Sequence, residues 1–360
     1  MAFRVWLCLP IMVGDSTLGV EMNIVRWANV LGARIRRRRA RCASASDVVL
    51  LDTALGSENS GDEIIMDACD SVCRGLWNGA ELKRIPTHYY VPESEYLADK
   101  VKILCGTNII WKNMEEQVQW ALPKDLHSFQ NVCLLGAGLS DVGIEQHPSR
   151  FSIAMYHTLL SSNLLHSVRD DRTKRFLNSI GINNVVNTAC PTMWTLTPEL
   201  LSGIPKRKGR RVLTSITDYC FSPEEDLEML RILQQEYERV TIWVQGSHDI
   251  DWCLSKIIDL NDFEVVGPSI RELDDVLEDP ALDYVGTRLH AGIRCLNKAR
   301  RTLIIAVDNR ARQIGHDTNL PVIERSEIKK GALEQWINHP QEAQIDLPKK
   351  EIEEWKSQFM

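Results

Sequence analysis

Several signatures are missing from this chain of 360 residues, and each absence removes a class of function. The apolar run Val5 to Val13 is interrupted by Pro10, far short of the roughly 20 residues a membrane-spanning helix requires. It also lacks a clear small-residue cleavage site. Neither a G-x-x-x-x-G-K-[ST] loop, a G-x-S-x-G elbow nor an H-E-x-x-H pair occurs, so P-loop phosphoryl transfer, α/β-hydrolase chemistry and zinc proteolysis are unsupported. Lys and Arg number 42 against 49 Asp and Glu, a net charge of −7, which argues against broad nucleic-acid binding.

Ten cysteines are present, but no C-x-x-C pair; Cys69 and Cys73 are one helical turn apart. Scattered thiols of this kind fit a reduced, cytoplasmic chain without a disulfide framework, and the ligand spacing of a structural metal is missing. No Asn-x-Ser/Thr acceptor occurs. Arg36 to Arg41 carries five arginines in six positions, which reads first as a solvated tail and second as a peripheral contact with an anionic membrane face. No local pattern fixes an oligomeric state.

What is present is a rhythm. From Asp47 onward short apolar runs alternate with helical patterns, the mark of βα units and parallel sheets. Val48–Leu51, Val101–Cys105, Val132–Leu135 and Asn163–Val168 are predicted strands, and Asp171–Ile180 a helix stopped by Gly181. Ile204 to Arg211 is basic and punctuated by Pro and Gly, which makes it the linker between two units. Beyond it Val212–Ile216 and Val240–Val244 are predicted strands, with a helix from Ser222 to about Tyr237 between them. Residues 1–46 are therefore read as an extension, 47–204 and 205–330 as two Rossmann-like lobes facing a cleft, and 331–360 as a polar tail, partly helical.

The chemistry-bearing residues fall on strand-to-helix turns, where ligands of parallel sheets bind. Gly286-Thr287-Arg288-Leu289-His290-Ala291 places a guanidinium fork and an imidazole at a helix start, itself an anion site. Near-neutral titration would suit His290 to proton transfer. Asn59-Ser60-Gly61-Asp62-Glu63 follows the first strand, Val168-Arg169-Asp170-Asp171 follows a later one, and Cys190-Pro191-Thr192-Met193-Trp194 comes shortly after. Gly136-Ala137-Gly138 fails the G-x-G-x-x-G spacing at Asp141 and reads as a tight turn.

In order and spacing this set resembles the polysaccharide pyruvyltransferase family over roughly residues 47 to 330. The resemblance implies an α/β fold of two Rossmann-like lobes with GT-B-like architecture. It implies transfer of the pyruvyl group of phosphoenolpyruvate, as a ketal, to a sugar of a cell-surface polysaccharide or its lipid-linked precursor. Phosphoenolpyruvate would be a co-substrate, with no resident cofactor or metal. It implies that Arg169 and Arg288 bind the donor and that His290 is the general acid. Catalysis is thus expected of His290, Arg288 and Asp62, and substrate binding of Arg169, Arg288, Leu289, His290, Asn59, Gly61 and Trp194.

Plainer readings stand beside these. Arg169 can pair with Asp170 or Asp171, Leu289 can pack its helix, and Asp62 can be an acidic helix-start residue rather than a proton acceptor. Trp194 reads first as a core aromatic and second as a surface for a sugar ring. His248, His316 and Asp317 are further polar candidates in the second lobe. Two other functions share the fold: a glycosyltransferase with a nucleotide-sugar in the second lobe, and a non-catalytic glycan- or anion-binding module.

Overall fold

Apolar runs without polar alternation become strands covered on both faces. The computed structural model describes residues 27–32, 44–90, 99–117, 119–122, 126, 129–143, 145–246, 248–249 and 259–360; the Val5–Val13 run and the arginine run lie outside them. β1 (Val48–Asp52) is buried along its whole length, and β2 (Lys83–Pro86) flanks it as a half-exposed edge. β3 (Val101–Cys105) and β4 (Val132–Leu135) are fully buried. The four form a parallel sheet in the order β2-β1-β3-β4. A parallel pair, β5 (His166–Val168) and β6 (Val185–Asn187), continues it through the bridge between Ala137 and Val168. The order reverses between β1 and β3, where a crevice opens at the carboxyl ends.

The second lobe contains β7 (Arg211–Thr214), β8 (Arg239–Trp243), β9 (Glu264–Val266), β10 (Leu282–Gly286), β11 (Thr302–Ala306) and β12 (Val322–Glu324). They form one parallel sheet in the order β12-β11-β10-β7-β8-β9. Renumbered within the lobe this is 6-5-4-1-2-3, the order of a dinucleotide-binding sheet, with its switch point between β7 and β10. Two Rossmann-like lobes, GT-B-like in arrangement, are therefore what the chain builds. Among the described residues no helix is long and apolar enough to cross a membrane.

The lobes touch directly. The Ser60–Leu76 helix begins against the second lobe: the Ser60 amide donates to Gln245 O at 3.1 Å and its hydroxyl to Pro268 O at 2.6 Å. On the other side, the Asp171 amide donates to Asp317 Oδ2 at 2.8 Å.

The C-terminal segment, expected as a polar and partly helical tail, packs onto both lobes through two helices. The Ala332–Asn338 helix buries Leu333, Trp336 and Ile337 in a cluster of the second lobe. The chain then crosses back, and the Lys349–Ser357 helix buries Ile352 and Trp355. Trp355 and Phe359 join Val48, Leu50, Cys69 and Cys133 in the core of the first lobe. The segment is hydrophilic in composition because its apolar residues form one narrow stripe, and that stripe is what packs.

Candidate active site

Arg288 ends the β10 turn at the switch point and is the N-cap residue of the Leu289–Asn297 helix. Its backbone carbonyl is held by the buried Tyr284 hydroxyl at 2.8 Å. Its side chain is only 3% exposed and lies between two carboxylates, Asp218 at 3.1 Å and Asp249 in closer contact. Burial pushes the Asp249 carboxyl up while Arg288 opposes the shift. The Asp249 carboxylate is further fixed by the amides of Gln245 and Gly246, at 3.1 and 2.8 Å. Arg288 is thus a compensated cation rather than a free one. Its Nε, by contrast, is buried with no hydrogen-bond partner among the described residues.

His290 occupies the first turn of the same helix and is buried. Burial, and then the positive charges of Arg169 and Arg310, push its pKa down to about 3, against a smaller pull from Asp308. The expected titration near neutrality therefore fails in the ligand-free protein, where the imidazole is neutral. The physical reason is first burial, which penalises the charged ring, and second the cations of both lobes, which disfavour a further positive charge.

Arg169 follows β5 and is buried at 1% exposure. It donates to Asn108 Oδ1 and meets Asp170 at 3.4 Å. Asp170 is the N-cap of the Asp171–Ser179 helix, accepting from the amide and hydroxyl of Thr173, both at 2.7 Å. The plainer reading, a pair with Asp170, is thus present, and it coexists with the field of Arg169 at His290. The Gly136-Ala137-Gly138 turn makes room for these groups. Gly136 has a φ of +67° and abuts Pro191, and Gly138 abuts the Arg169 guanidinium.

Asp62 lies in the first turn of the Ser60–Leu76 helix, accepting from Ser57 Oγ at 2.6 Å and Thr107 Oγ1 at 3.1 Å. Burial pushes its carboxyl up, against these hydrogen bonds and the charges of His88 and Arg310. Arg310 therefore acts electrostatically on Asp62 of one lobe and His290 of the other. It stands in the first turn after β11, bonded to Asp308 and to the Tyr219 hydroxyl. The Tyr219 ring lies 5.5 Å from the Arg288 guanidinium and 5.2 Å from that of Arg310, within cation–π range of both.

The structure thus groups Arg169, Arg288, His290 and Asp62 with Arg310, Asp308 and Tyr219, which sequence reasoning missed, and with Cys190, which it read only as part of a motif. Arg310 had a readable signal: it opens a helix just after a buried strand, as Arg288 and His290 do. The remaining candidates have other work. Asn59 caps its helix through Gly61 at 3.0 Å and accepts from Gln245 Nε2 of the second lobe at 2.7 Å. Gly61 permits that approach, since a Cβ there would come within 2.6 Å of Gln245 Nε2. Leu289 is packed in the core of the second lobe. Trp194 donates to Thr188 O at 2.8 Å and packs edge-on against Trp355, with ring centroids 5.9 Å apart. His248 faces Glu58 at 3.9 Å, while His316 is exposed and bonded to Asp317, which also joins the lobes through Asn187.

None of the curated proteins matches the chain. Among solved structures, two of UDP-GlcNAc 2-epimerase from Methanocaldococcus jannaschii are similar. The one in complex with UDP-GlcNAc and UDP has a TM-score of 0.47 and 9% identity, covering 87% of this chain and 96% of that one. The other has a TM-score of 0.46 and 10% identity, covering 84% and 94%. The family model for polysaccharide pyruvyl transferase matches residues 59–309, a span that runs from Asn59 in the first lobe to Asn309 in the second. The chain belongs to the polysaccharide pyruvyl transferase family.

Proposed function

We propose that the protein transfers the pyruvyl group of phosphoenolpyruvate to two hydroxyls of one sugar, on a polysaccharide or its lipid-linked precursor. The single observation that carries this reading is the positive field at His290, made by Arg169 of one lobe and Arg310 of the other. A donor with a carboxylate and a phosphate fits such a field, and its negative charge would raise the His290 pKa back toward protonation.

The balance of the reaction assigns the work. A proton added to the methylene carbon leaves an oxocarbenium ion at C2, and one sugar hydroxyl adds there. Loss of inorganic phosphate regenerates the cation, and a second hydroxyl closes the ketal. His290, protonated with donor bound, supplies the first proton. Arg169 and Arg310 hold the anionic groups and draw out the leaving phosphate. Arg288, buried between its carboxylates, fixes the helix start that carries His290. Asp62, with its raised carboxyl pKa, is placed to accept a hydroxyl proton.

The test is incubation of the purified chain with phosphoenolpyruvate and a glycan panel, following inorganic phosphate and the ketal methyl signal. Phosphate release with ketal formation is expected. Stabilisation against heating by UDP but not by phosphoenolpyruvate, without phosphate release, would replace the donor with a nucleotide-sugar.

A further inference from the structure

One ring nitrogen of His290 meets a thiol. Cys190 Sγ lies 3.8 Å from His290 Nε2, and both residues are buried. The sulfur already accepts from the Thr192 hydroxyl at 3.1 Å and from the Thr192 amide. Thr192 donates to the sulfur, which leaves the thiol's own hydrogen for the other polar neighbour, Nε2. Neutral imidazole carries one donor and one acceptor nitrogen, and the partner of one nitrogen decides where the proton sits on the other. Accepting at Nε2 places the ring proton on Nδ1.

We infer that Cys190 is a positioning residue: its thiol, oriented by Thr192, holds neutral His290 in the Nδ1–H form and at a fixed ring angle. The inference rests on the reading of His290 as the proton donor. A thiol both donates and accepts, so it serves both charge states of the ring. When donor binding protonates His290, the new Nε2–H donates to the same sulfur, and Nδ1–H is the edge presented to the substrate. A residue that only donated or only accepted would fit one state alone. The charged and titratable neighbours are Arg169, Arg310 and Asp308 around His290, with Arg169, Asp170 and Cys69 around the thiol. Among the described residues, the side-chain contact of the ring is with the sulfur, so tautomer choice falls to Cys190. Tautomer control of this kind governs catalysis by histidine in unrelated enzymes.

The test is the ring's own ¹⁵N spectrum in the ligand-free chain, with the His290 signals identified by their loss in His290→Gln. In the wild type Nδ1 is expected to show the shift of a protonated nitrogen and Nε2 that of an unprotonated acceptor. Cys190→Val, close in volume but without a polar hydrogen, should move both signals toward the opposite tautomer. Cys190→Ser should return them part of the way, its oxygen being held closer to the backbone. With phosphoenolpyruvate and acceptor, Cys190→Val should lower kcat about tenfold while KM for the donor changes less than twofold, and should move the acid limb of the pH–rate profile. A wild-type spectrum and pH profile in Cys190→Val would overturn the inference, whatever happens to the melting temperature. If Cys190→Val does not fold, an Nε2–H signature in the wild type does the same. The spectrum needs neither donor nor acceptor. Wild-type protein without phosphate release, but with the expected tautomer, therefore marks failure of the pyruvyl-transfer reading alone.

Discussion

The guanidinium of Arg169 rests on the Cα of Gly138: a Cβ at that position would lie 2.3 Å from Arg169 Cζ and Nε. The glycine thus shapes the space that the Arg169 guanidinium occupies, although it bears no functional group. The obstructed atoms are the far end of a long side chain, so the fold can yield where the function cannot. Gly138→Ala should keep its melting temperature within a few degrees and weaken donor binding at least tenfold. Thermal unfolding followed by a phosphoenolpyruvate titration checks both halves.

Arg288 should behave differently from Arg169, because its guanidinium neutralises the buried Asp249. Arg288→Ala leaves that carboxylate without its cation, a loss of about 3–5 kcal/mol for a broken buried pair. The double variant Arg288→Ala, Asp249→Asn should recover much of the stability without recovering the activity. Chemical denaturation of both variants beside a turnover assay would show the separation. Equal stability of Arg288→Ala and the wild type would place Arg288 outside the buried pair.

His290 makes stability fall on the acid side. Its folded pKa of about 3 lies below the ordinary histidine value of 6.5, so between those values the unfolded chain binds a proton that the folded chain does not. Stability is complete above about pH 6.5 and is lost as pH falls toward 3, by up to about 1.4 kcal/mol per pH unit across that window. His290→Gln should flatten this part of the stability–pH curve while lowering kcat by about 10²–10⁴-fold. Donor binding at pH 7 should take up protons in the wild type and fewer in the variant. Calorimetry in buffers of different ionisation heat measures that uptake.

Arg310 should couple the lobes. Arg310→Gln removes a cation acting on both Asp62 and His290, so donor affinity should fall by the about 1.5–3 kcal/mol of a charge-assisted hydrogen bond. The His290 pKa should rise at the same time, visible in an NMR titration of the ligand-free protein. A His290 titration unchanged by the substitution would place Arg310 too far away to act.

Trp355 should prove structural. It is fully buried in the first lobe and packs against Phe359 with ring centroids 5.0 Å apart. Trp355→Ala should cost about 3–5 kcal/mol, and the loss should appear as earlier melting of the whole chain. Unchanged melting would show that the C-terminal helix is dispensable.

The sequence determined the two parallel sheets and the turns that carry the arginines and histidine. Strands such as Val48–Asp52 and Thr302–Ala306 are covered on both faces and so read as continuous apolar runs. The edge strands Lys83–Pro86 and Val322–Glu324 gave no such signal, being three or four residues long and partly exposed. Local pattern also placed Arg169, Arg288 and His290 at strand ends, because that position is set by the run beside it. Their electrostatic states were decided only in three dimensions. Asp249 and Asp218 reach Arg288 from other loops, Arg169 and Arg310 reach His290 from opposite lobes, and Cys190 reaches it from 100 positions away in the chain. A charge or proton depends on every group within a few ångströms, and tertiary packing alone chooses those groups.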